Sequence, residues 1–185
     1  MIDLARVLMA RELSTAQIIS MRDNIKQKLL NFAVKESGKN ASELLIRDAM
    51  PLTDFDFNSE KWCNQTTQVL STWTRDWSKE LPKTKFIAFY GVVNHTDDPT
   101  IIGSKFKVGA SGQTVRDVVM HGKMRAEEVV KCYFDPILYK GQETIYVEHY
   151  TIAAGGVAQY AEEIELLAFV CEPYGAVISA PQASQ

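Results

Sequence analysis

The chain has 185 residues, 46% of them hydrophobic and 23% charged, with a net charge of −3. That is the composition of a globular protein with one large domain or a domain plus an extension. It excludes a strongly basic nucleic-acid binder, and no apolar run approaches the roughly 20 residues that cross a bilayer. The opening MIDLARVLMAREL has an acid at position 3 and no uninterrupted apolar core, so no secretion signal is expected. Three widely spaced cysteines, Cys63, Cys132 and Cys171, argue against a disulfide framework and for a reducing compartment. The N-x-S/T triplets at Asn40, Asn64 and Asn94 are then chance matches.

Up to about residue 50 the pattern predicts helix. Residues 2–12 form a short helix whose Ile2, Leu4, Val7, Leu8 and Met9 cover much of its circumference. Ser14 and Gln17 make a capping box, and after it Ile18, Met21, Ile25, Leu29 and Phe32 recur at spacings of three and four as an apolar stripe. Gly38 stops that helix. Asn40 with Glu43 opens a further short helix to about Ala49, which Pro51 ends. Residues 51–58 are a connector.

From there the period changes. Residues 59–82 fit either state: Trp62, Thr66, Val69, Trp73 and Trp77 share a helical face, while the Thr and Val of 65–74 favour a strand. A strand over 62–74, then a loop or helical turn before Pro82, is the reading adopted. TKFIAFYGVV at 84–93 is the continuous apolar run of a strand covered on both faces. Strands follow at 100–108, 113–121, 128–134, 142–153 and 163–172, separated by turn signals that include Asp97-Asp98-Pro99, Gly109 to Gly112, Asp135-Pro136 and Lys140-Gly141. Short turns without intervening helices point to an antiparallel sandwich. The whole is α+β: a helical N-terminal segment, 1–58, for oligomer or partner docking, followed by a β-sandwich domain of jelly-roll type, 59–185.

Four groups could carry chemistry. His95 with Asp97 and Asp98 could bind a divalent metal, or simply cap the turn before Pro99. Glu148 and His149 are neighbours on a strand, so their side chains point to opposite faces and cannot form an acid–base pair; His121 lies on another strand. Cys132 and Cys171 alternate with apolar residues as small core side chains, and nothing local activates Cys63. The tryptophans could stack bases but lack interleaved basic residues. No phosphate-binding glycine motif and no C-x-x-C pair occurs, so no cofactor is expected. Glu148 and His149 are read as scaffold.

The segment TKFIAFYGVVNHTDDPTIIGSKF followed by KCYFDPILYKGQETIYVEHYTI resembles the accessory structural proteins of tailed-phage virions over residues 84–153. Phe134, Pro136, Gly141, Thr144, Val147, Tyr150, Thr151 and Ile152 carry the resemblance. It implies a non-enzymatic protein that decorates, cements or completes a capsid, neck or tail, made in the host cytoplasm and located in the virion. The partners would be further copies of the chain and other structural proteins, with no nucleic acid or membrane. Partner contacts are expected at Ile18, Met21, Ile25, Leu29 and Phe32, whose burial is worth roughly 1.5–3 kcal/mol per large side chain, and at Trp62, Trp73 and Trp77. The rivals are a carbohydrate- or ligand-binding sandwich and a metal-dependent enzyme using the 95–98 loop.

Overall fold

The computed structural model describes residues 7–9, 13–56, 64–69, 71–96, 100–109, 111–120, 130–152 and 159–177. The stripe helix, α1, is Thr15–Ser37, and its ends are those the sequence predicts. The Gln17 amide donates to the Ser14 hydroxyl at 3.3 Å, the Gln17 side chain accepts from the Ser14 amide at 2.8 Å, and Gly38 closes the helix at φ 70°.

The remainder of the first 58 residues departs from the helical expectation. Val7–Met9 is a strand, β1. The capping residues Asn40 and Glu43 support only one 3₁₀ turn at Ala41–Glu43, after which Leu44–Asp48 is strand β2. Pro51 begins rather than ends a helix: α2 is Pro51–Phe55, with proline in the first turn, where its missing N–H is no loss. In β1 and β2, pairing with a neighbouring strand overrides a local preference of a few tenths of a kcal/mol per residue. The single strand expected over 62–74 is two, β3 at Asn64–Val69 and β4 at Trp73–Glu80, the latter occupying the expected loop.

The later strands are β5 Phe86–Asn94, β6 Ile101–Val108, β7 Thr114–Met120, β8 Val130–Tyr139, β9 Thr144–Thr151 and β10 Gln159–Pro173; each overlaps its expected span, but β8 runs five residues past its expected end and β10 starts four residues early. A last turn of helix, α3, is Tyr174–Val177. Asp135-Pro136, expected as a turn, instead lies inside β8. The β5 ladder skips from Cys132 to Ile137 there, so the proline owes it no N–H.

All pairings are antiparallel and form two sheets. The six-stranded sheet has the order β1-β8-β5-β10-β2, with β3 also on β10; the four-stranded sheet has the order β4-β9-β6-β7. β10 is long enough to hold β3 against Gln159–Ile164 and β2 against Phe169–Pro173.

The sheets enclose a core that includes Trp77, Phe89, Phe106, Tyr139, Ile145, Val147 and Leu166. Phe55 of α2 plugs its end, edge-on to Trp77 at 5.1 Å, and the Trp77 Nε1–H donates to the Phe55 carbonyl at 2.6 Å. A second apolar layer lies on the other side of the six-stranded sheet, where Met21, Ile25, Leu29 and Ala33 of α1 pack with Phe86, Ala88, Tyr90, Cys132, Phe169 and Cys171. This explains why every residue of β5 is buried: the strand has helix on one side and sheet on the other.

Candidate functional site

Two features stand out: a polar chain inside the sandwich and an open face outside it. Both follow from the alternation along β9, where Ile145, Val147, His149 and Thr151 are buried and Thr144, Tyr146, Glu148 and Tyr150 are half-buried on the other side.

His149 is fully buried and stands opposite Ser104 of β6 and Thr74 of β4. Its Nδ1 is 3.0 Å from Ser104 Oγ and its Nε2 is 3.2 Å from Asp76 Oδ2. Asp76 reaches inward because it is the extra residue in a β4 bulge between Arg75 and Trp77. A carboxylate only accepts, so Nε2 donates to Asp76, and in a neutral imidazole Nδ1 then accepts from the Ser104 hydroxyl. The order hydroxyl, imidazole, carboxylate is that of a nucleophile relay. Here the His149 and Asp76 side chains and Ser104 are all 0% exposed.

A second buried polar group centres on Glu162, whose carboxylate accepts from Asn94 Nδ2 at 2.5 Å, from the Thr100 amide at 2.9 Å and from the Thr100 hydroxyl. A third seals α2: Asp54 accepts from Arg47 at 2.6 and 3.0 Å, from Lys85 at 2.6 Å and from the Met50 amide at 2.7 Å, while Arg47 also reaches Glu172 at 2.8 Å. Burial opposes the charge on Asp54, yet Arg47, Lys85 and the Met50 N–H together hold its carboxyl below the usual range.

The outer face of the four-stranded sheet is set by strand register into three cross-strand rows. Trp73, Tyr150, Gly103 and Met120 form the first; Arg75, Glu148, Lys105 and Val118 the second; Ser78, Tyr146, Lys107 and Val115 the third. Trp73 lies 5.4 Å from Tyr150, and Lys105 Nζ sits 3.9 Å over the indole. Glu148 pairs with Lys107 at 2.7 Å and Lys105 at 3.6 Å. A Cβ on Gly103 would come within 2.6 Å of Met120 Sδ, and one on Gly112 within 2.8 Å of the Tyr146 ring. The two glycines therefore let these side chains lie down on the sheet. Val115 and Val118 are 50% and 39% exposed.

The predicted site residues fall in different places. Met21, Ile25 and Leu29 are buried in this chain, with Ile18 half-buried and Phe32 edge-on to Phe86 at 6.1 Å. The chain's own six-stranded sheet covers the centre of this stripe, because the helix returns over that sheet. Trp77 is core, Trp73 belongs to the open face, and Trp62 lies outside the described residues. His95 is exposed, with Nε2 2.9 Å from Glu165; Asp97, Asp98, His121 and Cys63 lie outside the described residues. Among the described residues no group of three or more His, Cys, Asp or Glu could hold a metal ion. Cys132 and Cys171 are free thiols in the layer beneath α1. Burial raises both, Cys171 to about 11.

Sequence reasoning missed Asp76, Ser104 and the Asp54 cluster, whose members meet only through register and a bulge. The K-x-K of β6 beside the Y-x-E-x-Y of β9 was the available signal for the open face.

No family model and no curated protein matches this chain. Among solved structures it is similar to VP2 of infectious bursal disease virus in its subviral particle, with a TM-score of 0.42 and 12% identity over 71% of this chain and 34% of that one. It is similar to a mutant of the same VP2 in T=1 particles, with a TM-score of 0.42 and 12% identity over 71% of this chain and 32% of that one. The chain spans about a third of the length of these structures.

Proposed function

We propose that the chain is a non-enzymatic structural subunit of a symmetric assembly, a virion component of the tailed-phage accessory class, with a jelly-roll sandwich as its body. The strand orders β3-β10-β5-β8 and β4-β9-β6-β7 support the jelly roll, since the chain changes sheets at every connection from β3 to β10 except β6–β7. β8 and β9, one in each sheet, together with their connection and flank hold the residues that carry the phage resemblance.

The observation that carries the assembly reading is the unequal cover of the two sheets. α1 covers the outer face of the larger one. None of the described helices packs on the outer face of the smaller one, where Trp73, Tyr146, Tyr150, Met120 and Arg75, of types concentrated at protein interfaces, lie among Lys105, Lys107, Glu148 and Ser78. In this reading the relay of Ser104, His149 and Asp76 is structural, and function lies in subunit contacts.

Sedimentation and negative-stain imaging of the full chain test the reading. Closed particles or rings of a defined multiple of 20.8 kDa are expected; a 20.8 kDa species at every concentration overturns it. A ligand-binding sandwich is the second reading, favoured by the Trp73–Tyr150 pair, although Lys105 covers one face of that indole. Saturable quenching of tryptophan fluorescence by a saccharide, lost in Trp73→Ala, would favour it.

A further inference from the structure

We infer that a cavity at the end of α1, where two turns of the sandwich meet, is a binding site for a small organic phosphate with a dianionic head and an apolar body. The inference does not rest on the assembly reading. None of the cavity's lining residues belongs to the three rows of the open face.

Shape is the first argument. The cavity measures about 400 Å³, a size that holds a small molecule. Its floor is apolar: Leu44 at the start of β2, Phe86 at the start of β5 and Pro173 at the end of β10. Its wall is fixed by backbone contact between the turn that joins β4 to β5 and the turn that joins β8 to β9. A Cβ on Gly141 would meet the Lys83 carbonyl oxygen at 2.1 Å, so only glycine allows this approach. The Gln142 amide donates to the Leu81 carbonyl at 2.9 Å, and the Leu81 amide to the Glu143 carbonyl at 3.0 Å. The concavity is therefore built before any ligand arrives, which lowers the cost of binding.

Charge is the second. Lys39, Lys83 and Lys140 line the cavity with a single acid, Glu36, so the lining carries a net +2. Glu36 is already paired: it accepts from Lys140 Nζ at 2.8 Å, and that hydrogen bond lowers the carboxyl and raises the ammonium. Glu143, close by in the turn, is held by Arg116 at 2.8 and 3.1 Å. Lys39 has Glu43 only at 3.9 Å, beyond hydrogen-bonding distance. The side chains of Lys83, Thr84 and Gln142 have no described partner at all. Nor does the end of α1 present bare carbonyls at Ala33 and Val34, which accept from the Ser37 hydroxyl at 2.6 Å and the Gly38 amide at 3.0 Å. A phosphate monoester carries nearly two negative charges at neutral pH, which matches the surplus, and lysine holds phosphate as a point charge. A carboxylate would neutralise only half of it. The apolar floor and the methylene stems of the lysines then cover the body of the ligand.

Isothermal titration calorimetry of the full chain tests the site, with phenyl phosphate and inorganic phosphate as probes. Phenyl phosphate should bind once per chain and about tenfold more tightly than inorganic phosphate, because only it also buries apolar surface. Lys83→Glu changes an exposed side chain without a described partner, so the fold should persist by far-UV circular dichroism. Its affinity for phenyl phosphate should fall about tenfold. Lys39→Glu reads the same loss from α1's side of the cavity. Absence of saturable binding to the wild type overturns the inference. So does inorganic phosphate that binds as tightly as phenyl phosphate, or unchanged affinity in the two folded variants. Self-association is not read in any of these titrations, so the assembly reading stands or falls separately.

Discussion

Ser104 and His149 stand opposite each other across the β6–β9 ladder, Oγ 3.0 Å from Nδ1, sealed inside the sandwich. Asp76 completes the chain from the third strand. Sealed in this way, the polar chain is a stitch between β4, β9 and β6. His149→Leu would fill the space yet remove the imidazole from a buried hydroxyl and a buried carboxylate. The expected loss is about 1–3 kcal/mol, from the two hydrogen bonds the imidazole makes, each worth about 0.5–1.5 kcal/mol. Urea denaturation measures it, and wild-type stability in the variant would show that the stitch contributes nothing.

Asp54 carries the clearest pH dependence. Its carboxyl is held below the usual range by Arg47, Lys85 and the Met50 N–H, against the opposing effect of burial. The folded-state pKa is thus lower than the unfolded value of about 3.9. The stabilisation is present above that value and is lost as pH falls through the folded one. Asp54→Ala leaves Arg47 and Lys85 without that carboxylate and is expected to cost about 3–5 kcal/mol near neutral pH. The gap to wild type should narrow below about pH 4, where the unfolded wild type takes up the proton, and reach its floor once pH falls below the folded-state value. Denaturation midpoints across pH 2–7 check both expectations; a gap that does not narrow in acid would be the contrary result.

The cysteines should be inert in the folded chain. Cys171 is fully buried and its thiol is pushed up to about 11, and burial raises Cys132 too. At pH 8 alkylation by iodoacetamide, read by mass spectrometry of peptides, should reach these two only in denaturant. Rapid native labelling of either would mean that the layer beneath α1 opens readily.

Long elements with their own internal pattern were legible in the sequence. Ser14, Gln17 and Gly38 mark both ends of α1, and the unbroken apolar run of β5 states that both its faces are covered. The alternation in β9 sends His149 inward and Glu148 outward. Short elements at sheet margins were not legible. Leu44–Asp48 carries a helical capping signal and becomes a strand because β10 offers it a ladder. Nor does local sequence report register: Asp76 joins Ser104 and His149 only through a bulge, and the three rows of the open face exist only once four strands are aligned. Stripe residues announce that they are buried without saying against what; the chain's own sheet covers the centre of the stripe.

That cover makes a prediction of its own. If α1 served another chain, truncating its stripe would alter assembly and spare the monomer. Since Ile25 and Leu29 are fully buried against this chain's own sheet, Leu29→Ala should instead destabilise the fold by about 2–5 kcal/mol, from lost apolar burial and the cavity left behind. Ile19→Asp, on the same helix at a position 55% exposed, should change stability by about 0.5 kcal/mol or less. Deleting residues 1–50 would remove α1 and β2 together and uncover Phe86, Tyr90 and Phe169, so the truncated chain should aggregate rather than yield a clean monomer. Thermal unfolding of the two point variants, with light scattering of the truncated chain, measures all three. A soluble, cooperatively folding 51–185 fragment would return α1 to the role of a detachable arm.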